Sequence, residues 1–439
     1  MAWIDRRFHG DRTAVWVAAR RWSRRRRCPD MHPIAGAGDL RLPLGPQCRG
    51  LPRRVTTGLL IAVWFELVYF YAHPLSESFA TTALVAGIYL VYPGRGAPSE
   101  RRIFIGAAML GLAAVLRPQL VPAIAVAVIA VGGVRERAHY ASLLGGLALT
   151  IVLSGLLDWI TWGWPFHATV MYVYYTSKIA SSAGVNPVYS YIGWEAVAWG
   201  FFGVVIVLCA LYGSFRLPLL FWVAATIFVV HSLVSHKEYR YFSPALPLIM
   251  TLAGVGSTMA ADWLGDRLGR PQVRRALMVA VPLIWTIASV VLAASPNRIW
   301  FWVRSRGSIL ALHAVNADSQ ACGVGVYPGK LWWRSDEYVN LRHGIPLYNA
   351  GDAPPLTAPN AYNYVFSMQA RSKELGHPPD PPVDFTSFGY QQVQCWTDPY
   401  DRAMTMERMC LWRRAGACDP QSAKLLTPDV GEAFEALLK

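Results

Sequence analysis

The sequence predicts a mainly α-helical, polytopic membrane bundle carrying a small C-terminal α/β domain outside the membrane. Three observations predict it. Hydrophobic residues make up 54% of the 439-residue chain and charged residues only 15%, where a soluble globule carries about 25% charge. Between residues 56 and 294 the apolar residues are grouped into runs approaching the roughly 17–25 residues a helix needs to cross a bilayer. Beyond about residue 297 those runs stop and short alternating segments take over.

Residues 1–54 are rich in Arg, Pro and Gly, and Arg20, Arg21, Arg24, Arg25, Arg26 and Arg27 form their densest basic run. No aromatic platform or nucleic-acid-binding motif accompanies that run, so it reads as a solvated or lipid-facing tail rather than a nucleic-acid site. The apolar stretch Ala14-Val15-Trp16-Val17-Ala18-Ala19 is too short for a secretory signal core. This first region is expected to be cytoplasmic and without regular structure.

The transmembrane domain, 55–296, is expected to hold about nine segments: 56–72, 75–92, 103–116, 118–133, 139–157, 191–213, 217–234, 241–260 and 276–294. Pro74, Pro93-Gly94, Arg117-Pro118, Gly132-Gly133 and Pro218 punctuate them. Lys and Arg favour cytoplasmic loops. With nine crossings, Arg53 and Arg54, then Arg95, Arg101 and Arg102, then Arg135 and Arg137, then Arg267, Arg270, Arg274 and Arg275 all fall on one side. Residues 73–77, Arg117, the loop 158–190, residues 235–240 and everything after 295 then fall on the other.

In the outer domain, 297–439, Ile309, Leu310, Leu312 and Val315 predict a helix packed on one face over 305–318. β-like runs follow at Cys322–Tyr327, Tyr362–Met368, Phe388–Trp396 and Met409–Trp412, with Pro-rich loops at 353–359 and 378–382. Cys28, Cys48 and Cys209 are scattered, whereas Cys322, Cys395, Cys410 and Cys418 all lie in this domain. Four cysteines allow three pairings, which sequence leaves open, and an oxidising compartment would permit them. No Cys or His spacing suggests a metal.

The densest ionisable cluster is His236-Lys237-Glu238-Tyr239-Arg240, held between two apolar segments. A charge within hydrocarbon costs about 2.5–3.5 kcal/mol on insertion scales, so such clusters usually have a use. If the next helix begins there, His236 and Arg240 share a face. An interfacial anchor explains Lys237 and Arg240 but not the His and Glu beside them. A second cluster is His73-Pro74-Leu75-Ser76-Glu77-Ser78, where Ser76 as a cap and Glu77 on the helix dipole also have a purely structural explanation. Arg117 precedes Pro118, which disfavours helix there, and its planar guanidinium can grip a phosphate. The loop 158–190 is crowded with interfacial aromatics; Asp158, at its start, is the residue that interface preference leaves unexplained.

His236-Lys237-Glu238-Tyr239-Arg240-Tyr241-Phe242, with Pro244 and Leu246-Pro247-Leu248, resembles the His-Lys-Glu-x-Arg-Phe…Pro…Leu-Pro-Leu signature of the GT-C α-mannosyltransferases. These build N-glycan precursors and GPI anchors and have bacterial relatives. Trp64-Phe65-Glu66…Tyr69 leading to Pro74-Leu75-Ser76-Glu77, Leu116-Arg117-Pro118-Gln119, Asp158…Trp162-Gly163…Pro165-Phe166, and Cys322–Tyr327 with Asn363-Tyr364-Val365 are similar as well. The resemblance implies a GT-C fold and transfer of a mannosyl or related residue. The donor would be a polyprenyl-phosphate sugar and the acceptor a hydroxyl of a glycan or glycolipid, with membrane lipid as the surroundings and no cofactor. It implies a bacterial inner membrane with the active side outward, or the endoplasmic reticulum membrane in a eukaryote.

On that resemblance His236, Lys237, Arg240 and Arg117 grip the leaving phosphate, Glu238 orients them, and His73 and Ser76 line the substrate site. Family members begin with a helix and an outer loop bearing an acidic residue that looks like the catalytic base. Residues 1–54 match neither, as a mis-assigned start or a reading-frame error upstream of about residue 55 would explain, which leaves Asp158 or Glu77 as substitutes for that base. Two other readings stand beside the transferase: a lipid-linked-sugar transporter, and an inactive scaffold of the same fold.

Overall fold

The computed structural model of the chain describes residues 50–92, 99–132, 139–179, 185–295, 298, 302, 306–328, 341–342, 344–351, 355–370, 384–396 and 407–419. Expectations for residues 1–49, for Arg95, Arg135 and Arg137, and for the loop 378–382 lie outside these residues.

The chain is mainly α-helical, as expected. Helices α1 (Gly50–Val63) and α2 (Phe65–Tyr71) meet at Trp64, whose extended backbone bends them by 56°. Then come α3 (Ser76–Val91), α4 (Glu100–Leu116), α5 (Val121–Gly132), α6 (His139–Trp162), α7 (His167–Ile179), α8 (Ser190–Trp199), α9 (Phe202–Ser214), α10 (Pro218–Leu233), α11 (Leu246–Arg267) and α12 (Pro271–Ala293). Every apolar segment expected from the sequence coincides with helix, but they are not equal. Among the described residues three helices are long and apolar enough to span a membrane, or five if each bent pair is one span. The segment expected over 191–213 is such a pair, folded by 110° at Gly200, whose φ of 53° ends α8. At 1.5 Å per residue, the 16-residue α3 is about 24 Å long, short of a hydrocarbon core of about 30 Å.

Helix α11 lies at the centre, against α1, α9, α10 and α12, while α4 packs between α3 and α6. Gly213 and Gly256 face each other, so a Cβ on either would collide with the opposing backbone. Small residues permit this close approach, as in other membrane helix pairs.

Two expectations are corrected here. Asp158 does not open a loop: α6 continues to Trp162, and only Gly163 (φ 84°) and Phe166 (φ 60°) break it before α7. His236 and Arg240 do not share an α-helical face either. A 3-10 helix, Tyr239–Ala245, precedes α11, because Pro244 and Pro247 remove two amide donors from that stretch.

The C-terminal region holds α13 (Arg306–Ala317) and a sheet of β1 (Val324–Tyr327), β2 (Leu347–Asn349), β3 (Tyr364–Ala370), β4 (Tyr390–Trp396) and β5 (Glu407–Arg414). The order is β2-β1-β3-β5-β4, with β1 parallel to both neighbours and β5 antiparallel to both of its own. Helix α13 buries Ser308, Ala311, Leu312 and Val315, an i, i+3, i+4, i+7 stripe. This face shifts the expected one, since Ile309 and Leu310 are half-buried. Disulfides join Cys322 to Cys418 and Cys395 to Cys410, the second across the β4–β5 ladder.

Candidate active site

The site lies where α3 begins, α4 ends and the 3-10 helix enters α11. Helix α4 cannot pass Arg117, because Pro118 follows; Arg117 leaves the helical region (φ −143°, ψ 89°). Its guanidinium reaches Glu77 in the first turn of α3, with Nη2 3.1 Å from Oε1. Both side chains are buried, at 6% and 3% exposure. Tyr172 of α7 accepts hydrogen bonds from Arg117 Nη1 at 3.0 Å and Gln119 Nε2 at 2.6 Å. The Arg117 guanidinium also lies over the Tyr241 ring, 5.0 Å from its centroid.

Above this buried base sits a more open rim. Arg240 Nε stands 2.7 Å from Glu238 Oε2 and 3.7 Å from Glu77 Oε1, so it faces both carboxylates. Glu238 Oε1 accepts the Tyr241 hydroxyl at 2.8 Å and lies 3.4 Å from His236 Nε2. Side-chain exposures of 22% for His236, 36% for Glu238 and 40% for Arg240 leave the rim within reach of a ligand. Burial alone would raise the Glu238 carboxyl. The Arg240 charge and hydrogen bonds from Tyr241, Arg240 and His236 outweigh it and hold the group below its ordinary value.

The structure therefore brings Glu77, Arg117, His236, Glu238, Arg240 and Ser76 together, and sends the remaining candidates elsewhere. Ser76 is not the cap of α3: Leu75 holds that position without a side-chain bond, and Ser76 donates to Glu77 Oε2 at 3.1 Å. Lys237 is buried, and its ammonium donates to the carbonyls of Val234 and Asn186. It pins the neighbouring loop rather than joining the rim. His73 is exposed, with Nδ1 2.6 Å from the Tyr69 carbonyl and its ring against Tyr69. Asp158 accepts the Ala168 amide at 2.9 Å and so caps the N-terminus of α7.

Sequence reading assigned no role to Tyr172, Gln119, Tyr241, Glu66 or Glu195. Tyr172 stands among interfacial aromatics that mask it. Glu66 and Glu195 are acids in apolar segments, and an intramembrane ionisable residue is itself a signal. Glu66 is 1% exposed and accepts hydrogen bonds from the indoles of Trp64 (2.8 Å) and Trp199 (2.7 Å) and from the Tyr239 hydroxyl. Among the described residues no group of three or more His, Cys, Asp or Glu could hold a metal ion.

The family model of the Alg9-like mannosyltransferases matches residues 47–328, more than half of the chain. The chain belongs to that family. The resemblance read from the His236–Leu248 signature is borne out, and with it the assignment to membrane glycosyltransferases. No curated protein matches the chain in sequence. Among solved structures it is similar to ArnT from Cupriavidus metallidurans bound to undecaprenyl phosphate. The identity is 13%, the match covers 87% of this chain and 86% of that one, and the TM-score is 0.33.

Proposed function

We propose that this family member transfers a mannosyl or related residue from a polyprenyl-phosphate donor to a hydroxyl of a glycan or glycolipid. The observation that carries the reading is the rim. A half-exposed guanidinium, Arg240, sits with a carboxylate and an imidazole above a sealed Glu77–Arg117 pair that fixes them from below. As the bond between the anomeric carbon and the phosphate oxygen breaks, the electron pair leaves with the phosphate. Arg240 and His236 hold the charge that develops there. The acceptor oxygen forms the new bond and gives up its proton, and Glu238 is the candidate carboxylate at the surface that can take it. Arg117 and Glu77 set the position of Arg240.

We place this end of the bundle on the non-cytoplasmic side. Arg53 and Arg274 pair with Asp262 at the opposite ends of their helices, where the rule for basic loops puts the cytoplasm. The outer domain begins at the active end, and its four cysteines form disulfides, which persist in oxidising compartments. A bacterial inner membrane with the site facing outward fits both, as would the lumenal face of the endoplasmic reticulum.

A second reading has its own observation. Glu77 is held by Arg117, Glu238 by Arg240, and Asp158 by the Ala168 amide, so each candidate base is already occupied. A chain that binds the lipid-linked sugar without transferring it would look the same. The full chain in lipid nanodiscs, given labelled polyprenyl-phosphate mannose and membrane glycolipid acceptors, decides. Transfer lost in Arg240→Ala supports the enzyme, binding without transfer supports the second reading, and neither binding nor transfer removes both.

A further inference from the structure

The acids Glu66 and Glu195 form a second centre. Both are buried, at 1% and 6% exposure. The Tyr239 hydroxyl lies between them, against Glu66 Oε1 and 3.1 Å from Glu195 Oε2. The two acids are not held alike. Glu66 accepts from two indoles and the phenol, whereas Glu195 meets only the phenol and leaves Oε1 without a hydrogen-bond partner. Glu66 is therefore the acid on which the surrounding helices converge.

The three donors come from three places. Trp64 stands at the α1–α2 bend, Trp199 closes α8, and Tyr239 opens the 3-10 helix beside Glu238 and Arg240. A buried carboxylate is expensive, and an apolar side chain of similar volume would serve stability as well or better. The cost is understandable if the carboxylate fixes something that must not move.

We propose that Glu66 is a positioning residue for the sugar-phosphate site: its carboxylate holds Tyr239, and through Tyr239 sets where Glu238 and Arg240 stand. The inference rests on the function proposed above only for what those two residues bind. Glu195 meets the pair only through the Tyr239 hydroxyl.

The two acids should therefore respond differently to the same substitution. Glu195→Gln leaves all three bonds to Glu66 in place and should behave as the parent. Glu66→Gln presents an amide donor to an indole or to the phenol, and Tyr239→Phe removes the link while leaving both indole bonds in place. In nanodisc-embedded full-length protein, these last two should raise KM for the polyprenyl-phosphate sugar about tenfold, the worth of one charge-assisted hydrogen bond, with a smaller change in kcat. Hydrogen exchange over residues 236–245 should quicken in both and stay unchanged in Glu195→Gln.

Exchange over 236–245 that is equal in all three variants and the parent overturns the positioning role, as does a Glu195→Gln change as large as that of Glu66→Gln. Because exchange needs no substrate, it reads the positioning role even if the parent transfers nothing; that failure would count against the proposed function alone. If Glu66→Gln does not fold, Tyr239→Phe against Glu195→Gln makes the same comparison.

Discussion

The two acid centres at the active end of the bundle are neutralised by different means. Glu77 and Glu238 face guanidiniums, in a site that grades from sealed at Arg117 to half-open at Arg240. Glu66 is held by direct hydrogen bonds from two indoles and a phenol, with the Arg298 charge acting on it only from a distance, and Glu195 touches the same phenol. Half-exposed cations at an open rim can be handed to a substrate anion. An acid held by indoles and a phenol in a sealed core stays in place, and so can only fix geometry. The difference separates a centre suited to binding from one suited to support.

The largest effect should come from breaking the sealed half of the first centre. Arg117→Met takes the nearer cation from buried Glu77 and leaves only Arg240, 3.7 Å away, which costs up to about 3–5 kcal/mol, and the double variant with Glu77→Gln should recover most of that. Denaturant unfolding in detergent measures both. If the single variant keeps parental stability, Glu77 and Arg117 do not form the foundation described. Arg240→Ala should show the opposite profile. Its half-exposed pair contributes about 1 kcal/mol or less to stability, yet sugar transfer should fall about 10²–10³-fold. Arg240→Lys should lie between, having charge without the planar fork. A matching loss of stability and transfer in Arg240→Ala would erase the distinction between rim and base.

How much of this was legible depends on how local the cause is. The Arg117-Pro118 break, the apolar segments and the helix over 305–318 all follow from chemistry within one turn of chain, and each coincides with its element, although the buried face of α13 is turned from the expected one. The convergence of Glu77, Arg117 and Arg240 was visible only as three separate motifs on one expected side of the membrane. Lys237 shows the limit. In sequence it is one of two cations in a basic-acidic cluster, but the bend at 234–236 turns its ammonium toward the Asn186 carbonyl. Asp158 is similar: its partner, the Ala168 amide, exists only because Gly163 and Phe166 turn the chain back. Contacts made across a reversal leave no periodic trace in the residues that make them.

Asp158 supplies the next test, of smaller size. As a cap for α7 it is worth about 1 kcal/mol, so Asp158→Ala should lower stability by that amount. Tyr172 on α7 would loosen and transfer would fall severalfold at most. Loss of all transfer in a folded Asp158→Ala protein would instead make it the base, and would move the chemistry away from the rim.

The smallest effect is a pH dependence confined to the rim. Glu238 is held below its ordinary carboxylate value of 4.5, burial being outweighed by Arg240 and by hydrogen bonds from Tyr241, Arg240 and His236. A group lowered in the folded state binds fewer protons there than when unfolded. Its contribution is therefore complete above about pH 4.5 and is lost as pH falls through the lower folded value. Solvent screening of a pair this exposed limits the contribution to about 1 kcal/mol or less. Unfolding measured at pH 7 and near pH 3 should thus differ slightly less in Glu238→Gln than in the parent. A larger acid sensitivity in the variant would mean that Glu238 costs stability where it stands, and that Arg240 holds it there for binding alone.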